Sequence, residues 1–355
     1  MRRLDRWPRR LIMAPPGDRY SQSDKVATLI PRLSKDVNLN ISSQWRGVRI
    51  LACGIAALAI GSGFHAIGST FLEDMQEIED EHASLCPVRV PGTPLVPLVS
   101  AWAAAVRETI PPDADPRETI DTLNRFLFDR QAIRSSQDLH DPCNLLPSAV
   151  AERKQGYCVG LAALYLALAQ RLELPIFAVA TPTHVFLRYD DGTTRINIET
   201  ADAGAMRSDE AYARDGKIPE IALRHHVFLR NLSSDEFLAQ VHNDLGAIYS
   251  KRGEYARAAE EYESALGLDR RLPAAWYNLG LDRLRSGDYP RAIRVFTRSL
   301  DLLPTDVGAL NNRGFAWMKR GRCAKARDDF EAALRLDPSF EPARKNLSVC
   351  ADSCR

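Results

Sequence analysis

Three side chains between residues 154 and 199 are of the types that carry out thiol chemistry: Cys158, His184 and Glu199. A cysteine thiolate is a strong nucleophile, and an imidazole beside it acts as general base or as ion-pair partner. A carboxylate on the far side of the ring fixes its orientation and favours its protonated form. Asn197, two residues before Glu199, points to the same strand face and is the alternative third member.

The elements that would position these groups can be read from the pattern. Cys158 opens an apolar run in which Leu161, Leu164, Tyr165, Leu168 and Leu172 recur at helical spacing. A thiol in the first turn of a helix faces unpaired N–H groups and the positive end of the dipole, which favours the thiolate. His184 begins the strand-like segment HVFLRY, and Asp191-Gly192 is a two-residue hairpin signal. With that loop Asp190 pairs with Thr193 and His184 falls directly opposite Glu199, within side-chain reach. The same residues also fit an ordinary core, with Cys158 as a small hydrophobe and His184 as a satisfied polar group.

The stretch TLNRFLFDRQAIRSSQDLHDPCNLLPSAVAERKQGYC, followed by LAALYLALAQRLELP, PTHVFLRY and INIETADAG, resembles the bacterial branch of the transglutaminase-like (papain-fold) superfamily. The resemblance covers about Thr119 to Tyr212. It implies an α+β papain-like domain with Cys158 as nucleophile, His184 as general base and Glu199 as orienting residue. It implies no metal and no organic cofactor. In this family the third position is more often Asp, so Glu199 is a departure, with Asn197 nearby.

The 355 residues suit two domains, and a net charge of +1 leaves no basic field for nucleic acid. Seven cysteines are scattered without a CxxC pair or a zinc-ligand spacing. Residues 1–49 are basic and lack a sustained period, and are expected to be a disordered tail. Residues 50–72, ILACGIAALAIGSGFHAIGSTFL, are about the length of a transmembrane helix. A buried core helix in a cytoplasmic protein is the competing reading. Basic residues precede the run and six acids come after it between Glu73 and Glu81, so the positive-inside rule puts the N-terminus in the cytoplasm and the remainder outside. The expected location is therefore a single-pass inner (plasma) membrane, with the later domains periplasmic. An oxidising compartment permits disulfides: Cys86 with Cys143, and Cys323 with Cys350 or Cys354. Residues 73–116, acidic and then proline-rich, are expected to be a linker with one helix, leading into a catalytic domain over 117–230. The His225-His226 pair has no ligand-spaced partner and is read as structural.

The last third repeats. Leu245-Gly246, Leu279-Gly280 and Arg313-Gly314 are 34 residues apart, as are Ala258, Ala292 and Ala326, and Tyr262, Phe296 and Phe330. This is the signature of three tetratricopeptide (TPR) repeats over 239–340, with a capping helix in 341–355. Such helical solenoids present a concave face to a protein or peptide. Asn278 and Asn312 share a phase and are candidate ligands for a peptide backbone, with Arg283 and Lys319 beside them.

The fold expected is thus an α+β transglutaminase-like domain plus an all-α TPR solenoid, with an N-terminal transmembrane helix. The function expected is acyl transfer through a thioester, with water or an amine as acceptor. A non-catalytic envelope scaffold working through its repeats is the alternative.

Overall fold

A computed structural model describes residues 70–86, 94–138 and 141–353. The 1–49 tail and residues 50–69 of the apolar run lie outside the described residues. Among the described residues no helix is long and apolar enough to cross a membrane.

The first helix, α1 (Phe71–Glu81), is capped by Thr70: its hydroxyl accepts the Glu73 N–H while the Glu73 carboxylate accepts the Thr70 N–H. Phe71, Leu72, Met75 and Ile78 are buried, at the spacing of one helical face. The 73–116 stretch is therefore not merely a linker. It carries most of α1 and all of α2 (Leu95–Arg107), which buries Leu95, Val99, Ala103 and Val106 in the main core. The acids on the outer face of α1 obscure that apolar stripe in the sequence. Phe71 and Leu72, the end of the apolar run, belong to this helix.

α3 (Pro116–Asn124) continues into a wider turn over Arg125–Arg130, and Ile120, Leu123 and Leu127 face inward. A two-residue strand, β1 (Arg134–Ser135), comes next, then α4 (Pro147–Arg153) and β2 (Gln155–Gly156), which pairs in parallel with β1. Between them Cys143 is bonded to Cys86, with the Cα atoms 5.1 Å apart.

α5 (Cys158–Arg171) is the central helix; every residue from Val159 to Ala169 is buried. Its position is enforced by Gly160, where a Cβ would lie 2.2 Å from the Asn144 carbonyl oxygen. One side of α5 meets α2 and α4. The other meets an antiparallel sheet of β3 (Ile176–Ala180), β4 (Val185–Asp190) and β5 (Arg195–Ile198).

The hairpin register differs from the expected one. Asp190 pairs with Arg195, and Leu187 with Ile198, so the loop holds four residues, 191–194. The Asp191 carboxylate accepts the N–H groups of Thr193 and Thr194 and the Thr193 hydroxyl. That side-chain cap stabilises the wider turn. Two residues of slip preserve strand faces, because side chains alternate with a period of two.

After β5 come α6 (Asp209–Asp215) and α7 (Glu220–Arg224). Three helix pairs complete the chain: α8 (Ser234–Lys251) with α9 (Tyr255–Leu268), α10 (Pro273–Arg285) with α11 (Tyr289–Leu302), and α12 (Val307–Lys319) with α13 (Cys323–Leu336). α14 (Glu341–Ser353) packs on the last pair. The repeated residues have one function. A Cβ at Gly246, Gly280 or Gly314 would come within 2.5–2.7 Å of the ring of Tyr262, Phe296 or Phe330. Each glycine thus lets an aromatic ring fill the gap within its helix pair. Cys323 is disulfide-bonded, and Cys350 keeps its thiol, which lies 3.6 Å from the Cys323 carbonyl oxygen.

Candidate active site

Cys158 is the first residue of α5 and is half-buried. Its neighbour Tyr157 is the N-cap but gives no side-chain cap, and its backbone N–H donates to the Asn144 carbonyl at 3.1 Å. His184 immediately precedes β4. Its carbonyl accepts both the N–H of Thr181, at 2.8 Å, and the Thr181 hydroxyl, at 3.1 Å, which fixes the backbone under the imidazole.

The structure brings three of the sequence-derived residues together. His184 Nε2 donates to Glu199 Oε2 at 2.7 Å, and Cys158 is near enough to the ring to favour its charged form. With Nε2 occupied, Nδ1 is the nitrogen left for the thiol. Glu199 comes directly after β5 and is 5 % exposed. Its carboxylate also accepts the Ala201 N–H at 2.9 Å and the Tyr212 hydroxyl at 2.9 Å. Tyr212 is stacked on Phe186 with ring centroids 3.7 Å apart, and the Arg207 guanidinium lies over the Tyr212 ring, 5.0 Å from its centroid.

Electrostatics are set by these contacts. Burial works against the charged form of His184, but the hydrogen bonds and charges of Cys158 and Glu199 outweigh it and lift the imidazole to about 10. Burial likewise raises Glu199, and the His184, Ala201 and Tyr212 bonds more than offset it, leaving the carboxyl below its usual range. The ring is thus held as an imidazolium between the Cys158 sulfur and the Glu199 carboxylate.

Asn197 does not join the group. Its oxygen accepts Arg188 Nε at 2.7 Å, and its amide donates to the Arg207 carbonyl at 2.9 Å and to Asp209 at 2.8 Å. The buried guanidinium of Arg188 claims it.

The repeat residues fare differently. Asn278 and Asn312 are 8 % and 0 % exposed, so they do not face an open groove. The Asn278 amide donates to Asn243 Oδ1 at 2.9 Å, and that of Asn312 to the Tyr277 hydroxyl at 3.2 Å. They cross-link successive repeats, as buried amides must find partners. Arg283 reaches Glu263 at 3.2 Å, and Lys319 lies over the Phe315 ring at 5.4 Å; both are partly exposed. Among the described residues no group of three or more His, Cys, Asp or Glu side chains is arranged to hold a metal.

Sequence reasoning missed Tyr212, Thr181 and Tyr157, which support the three central side chains. None carries a periodic or spacing signal. A cleft of about 690 Å³ lies between α3 and the turn after Glu199, lined by Asp115, Glu118, Asp121, Arg125, Asp129 and Asp202 among others, but none of the three site residues lines it.

Comparison with known proteins agrees with this architecture. Residues 97–243 match the transglutaminase-like superfamily, and residues 243–306 and 282–347 match tetratricopeptide repeats. The first match begins inside α2 and ends inside α8, wider than the 117–230 expected from sequence. A UPF0162 protein of Xylella fastidiosa is 26% identical over 224 residues, 61% of this chain and 67% of that protein. A TPR repeat-containing protein of Pseudomonas aeruginosa is 34% identical over 125 residues, 35% of this chain and 50% of that protein. Among solved structures, the first TPR domain of Spaghetti (RPAP3), bound to an HSP90 peptide, matches 32% of this chain and 91% of its own, at 23% identity and a TM-score of 0.32. The chain carries a transglutaminase-like superfamily domain followed by tetratricopeptide repeats.

Proposed function

We propose that this protein is a membrane-anchored thiol acyl-transfer enzyme whose repeats recruit a protein or peptide. The observation that carries the catalytic part is the His184 imidazole bonded through Nε2 to Glu199 at 2.7 Å, with Cys158 near enough to favour the ring's charged form. Cys158 Sγ attacks a carboxamide or peptide carbonyl carbon. The backbone N–H of Cys158, at the helix start, donates to the developing oxyanion. The C–N bond breaks as the His184 imidazolium gives its proton to the leaving amine, and a thioester remains. Water or a second amine then adds to the thioester, losing its proton to His184, and the thiolate departs. Water makes the enzyme an amidase or peptidase; an amine makes it a transglutaminase. Glu199 holds the ring throughout, itself held by Tyr212 and Ala201.

Iodoacetamide alkylation of Cys158, read by peptide mass spectrometry in wild type and His184→Ala, tests this. The wild-type thiol is expected to react at neutral pH at least ~10-fold faster than the variant's. A silent thiol, or one indifferent to His184, overturns the enzyme reading in favour of a non-catalytic scaffold.

The anchor rests on the apolar run 50–72 and its flanking charges. The Cys86–Cys143 bond supports an oxidising compartment for the domains C-terminal to that run. An alkaline phosphatase fusion placed after Glu73 should be active; an inactive one sinks the periplasmic assignment. With Asn278 and Asn312 buried, Arg283 and Lys319 are the remaining candidate contacts to a partner on the repeats.

A further inference from the structure

Tyr157 occupies the N-cap of the nucleophile helix, yet its side chain does not cap it. The ring is buried and its hydroxyl donates 2.8 Å to Asp244 Oδ2, on the first repeat helix, α8. The other carboxylate oxygen, Oδ1, accepts the Asn243 amide at 3.2 Å, and Asn243 Oδ1 accepts the Asn278 amide of α10 at 2.9 Å. A continuous hydrogen-bonded line thus runs from the second repeat through the first to the residue preceding Cys158.

Asp244 is an expensive choice for a structural acceptor. No basic side chain among the described residues pairs with it, and burial pushes it up to about 6 although the Tyr157 and Asn243 bonds favour its charged form. A carboxylate partly withdrawn from water without a cation costs stability, and Asp244 is half-buried. Its place therefore needs a reason beyond packing, and its direct contact is to the start of α5. Tyr157 has its backbone tied to Asn144 and its ring tip to Asp244, so the Cys158 backbone N–H and Sγ start from a fixed point.

We propose that Asp244 is a positioning residue for the nucleophile, acting through Tyr157, and that the Asn278–Asn243–Asp244–Tyr157 line couples the TPR array to the reactive thiol. This rests on the catalytic reading of Cys158 and His184. The repeats then complete the active site as well as recruit a partner, and a ligand that shifts α10 against α8 alters thiol reactivity.

The test is a double-mutant cycle on full-length protein, reading iodoacetamide alkylation of Cys158 in Tyr157→Phe, Asp244→Ala and the double variant, with thermal melts to confirm folding. Each single variant is expected to slow alkylation about tenfold and the double no further, since both break the Tyr157–Asp244 bond. Asp244→Asn keeps an acceptor for the Tyr157 hydroxyl and should restore a rate within about twofold of wild type, which a simple loss of packing would not do. If all the folded variants alkylate at the wild-type rate while His184→Ala is slow, the coupling is wrong and the triad reading stands. Additive slowing, or no rescue by Asp244→Asn, also overturns the coupling. If wild-type Cys158 is unreactive or indifferent to His184, both readings fall together.

Discussion

At the residue scale, the rivalry between Glu199 and Asn197 is decided by what each side chain is already bonded to. Glu199 holds His184, whereas Asn197 is committed to Arg188 and Asp209. Glu199→Gln should therefore cut Cys158 alkylation at neutral pH by ~10-fold or more, while Asn197→Ala should leave it within about twofold. Asn197→Ala should instead lower unfolding free energy by roughly 1–3 kcal/mol, because it leaves buried donors and acceptors unmatched; alkylation rates and urea melts separate the two effects. The imidazole makes a second prediction. Its folded value, about 10, lies above the ordinary 6.5, so the stability from its pairing is fully present below pH 6.5 and is lost as pH rises to about 10. In urea melts the stability gap between wild type and His184→Gln should be widest at the acidic end of that window and shrink toward its alkaline end. A gap that widens with pH would contradict the imidazolium assignment.

At the scale of elements, the site depends on where α5 begins. Gly160 allows the helix to run against the Asn144–Leu145 backbone, where a Cβ would meet carbonyl oxygens at 2.2 and 2.9 Å. Gly160→Ala must push α5 away from that backbone, with an expected cost of about 2–3 kcal/mol and slower Cys158 alkylation in the folded fraction. Denaturant melts and the alkylation rate check this together. The helix itself was legible in the spacing of Leu161, Leu164, Tyr165, Leu168 and Leu172. The hairpin was legible as a hairpin, but its register was not: Asp191 accepts from Thr193 and Thr194, and that local capping turned a two-residue signal into a four-residue loop. Alternation survived the slip, so His184 and Glu199 remain on one side, where the chain beyond each strand end brings them together. Helix α1 was hidden for a different reason. Its outer face is so acidic that composition suggests a linker, whereas Phe71, Leu72, Met75 and Ile78 supply an inner stripe.

At the scale of the molecule, the repeats and the transglutaminase-like domain share α8. It bonds the transglutaminase-like domain through Asp244, and it contacts the N-terminal segment through Tyr249, whose hydroxyl lies 2.9 Å from His82 Nδ1. Just beyond His82 in the chain, the Cys86–Cys143 disulfide closes a loop of sequence separation 57. Removing it by Cys86→Ala with Cys143→Ala should lower unfolding free energy by roughly 4 kcal/mol on the chain-entropy model. Chemical melts with and without reductant should show a larger loss in wild type than in the variant, which keeps only the Cys323 bond for the reductant to break.

The sequence alone determined the local and the periodic. The 34-residue repeat, its glycines and aromatics, the central helix and the identities of the thiol, imidazole and carboxylate can all be read from spacing and residue type, because helical and strand periods are written in neighbouring positions. Tertiary structure decided which polar groups meet. Asn197 was captured by Arg188, Asn278 and Asn312 by the stacking of repeats, and Tyr212 and Asp244 were brought to the site from outside any local pattern. A buried donor or acceptor takes the partner that folding places beside it, and that choice has no period to read.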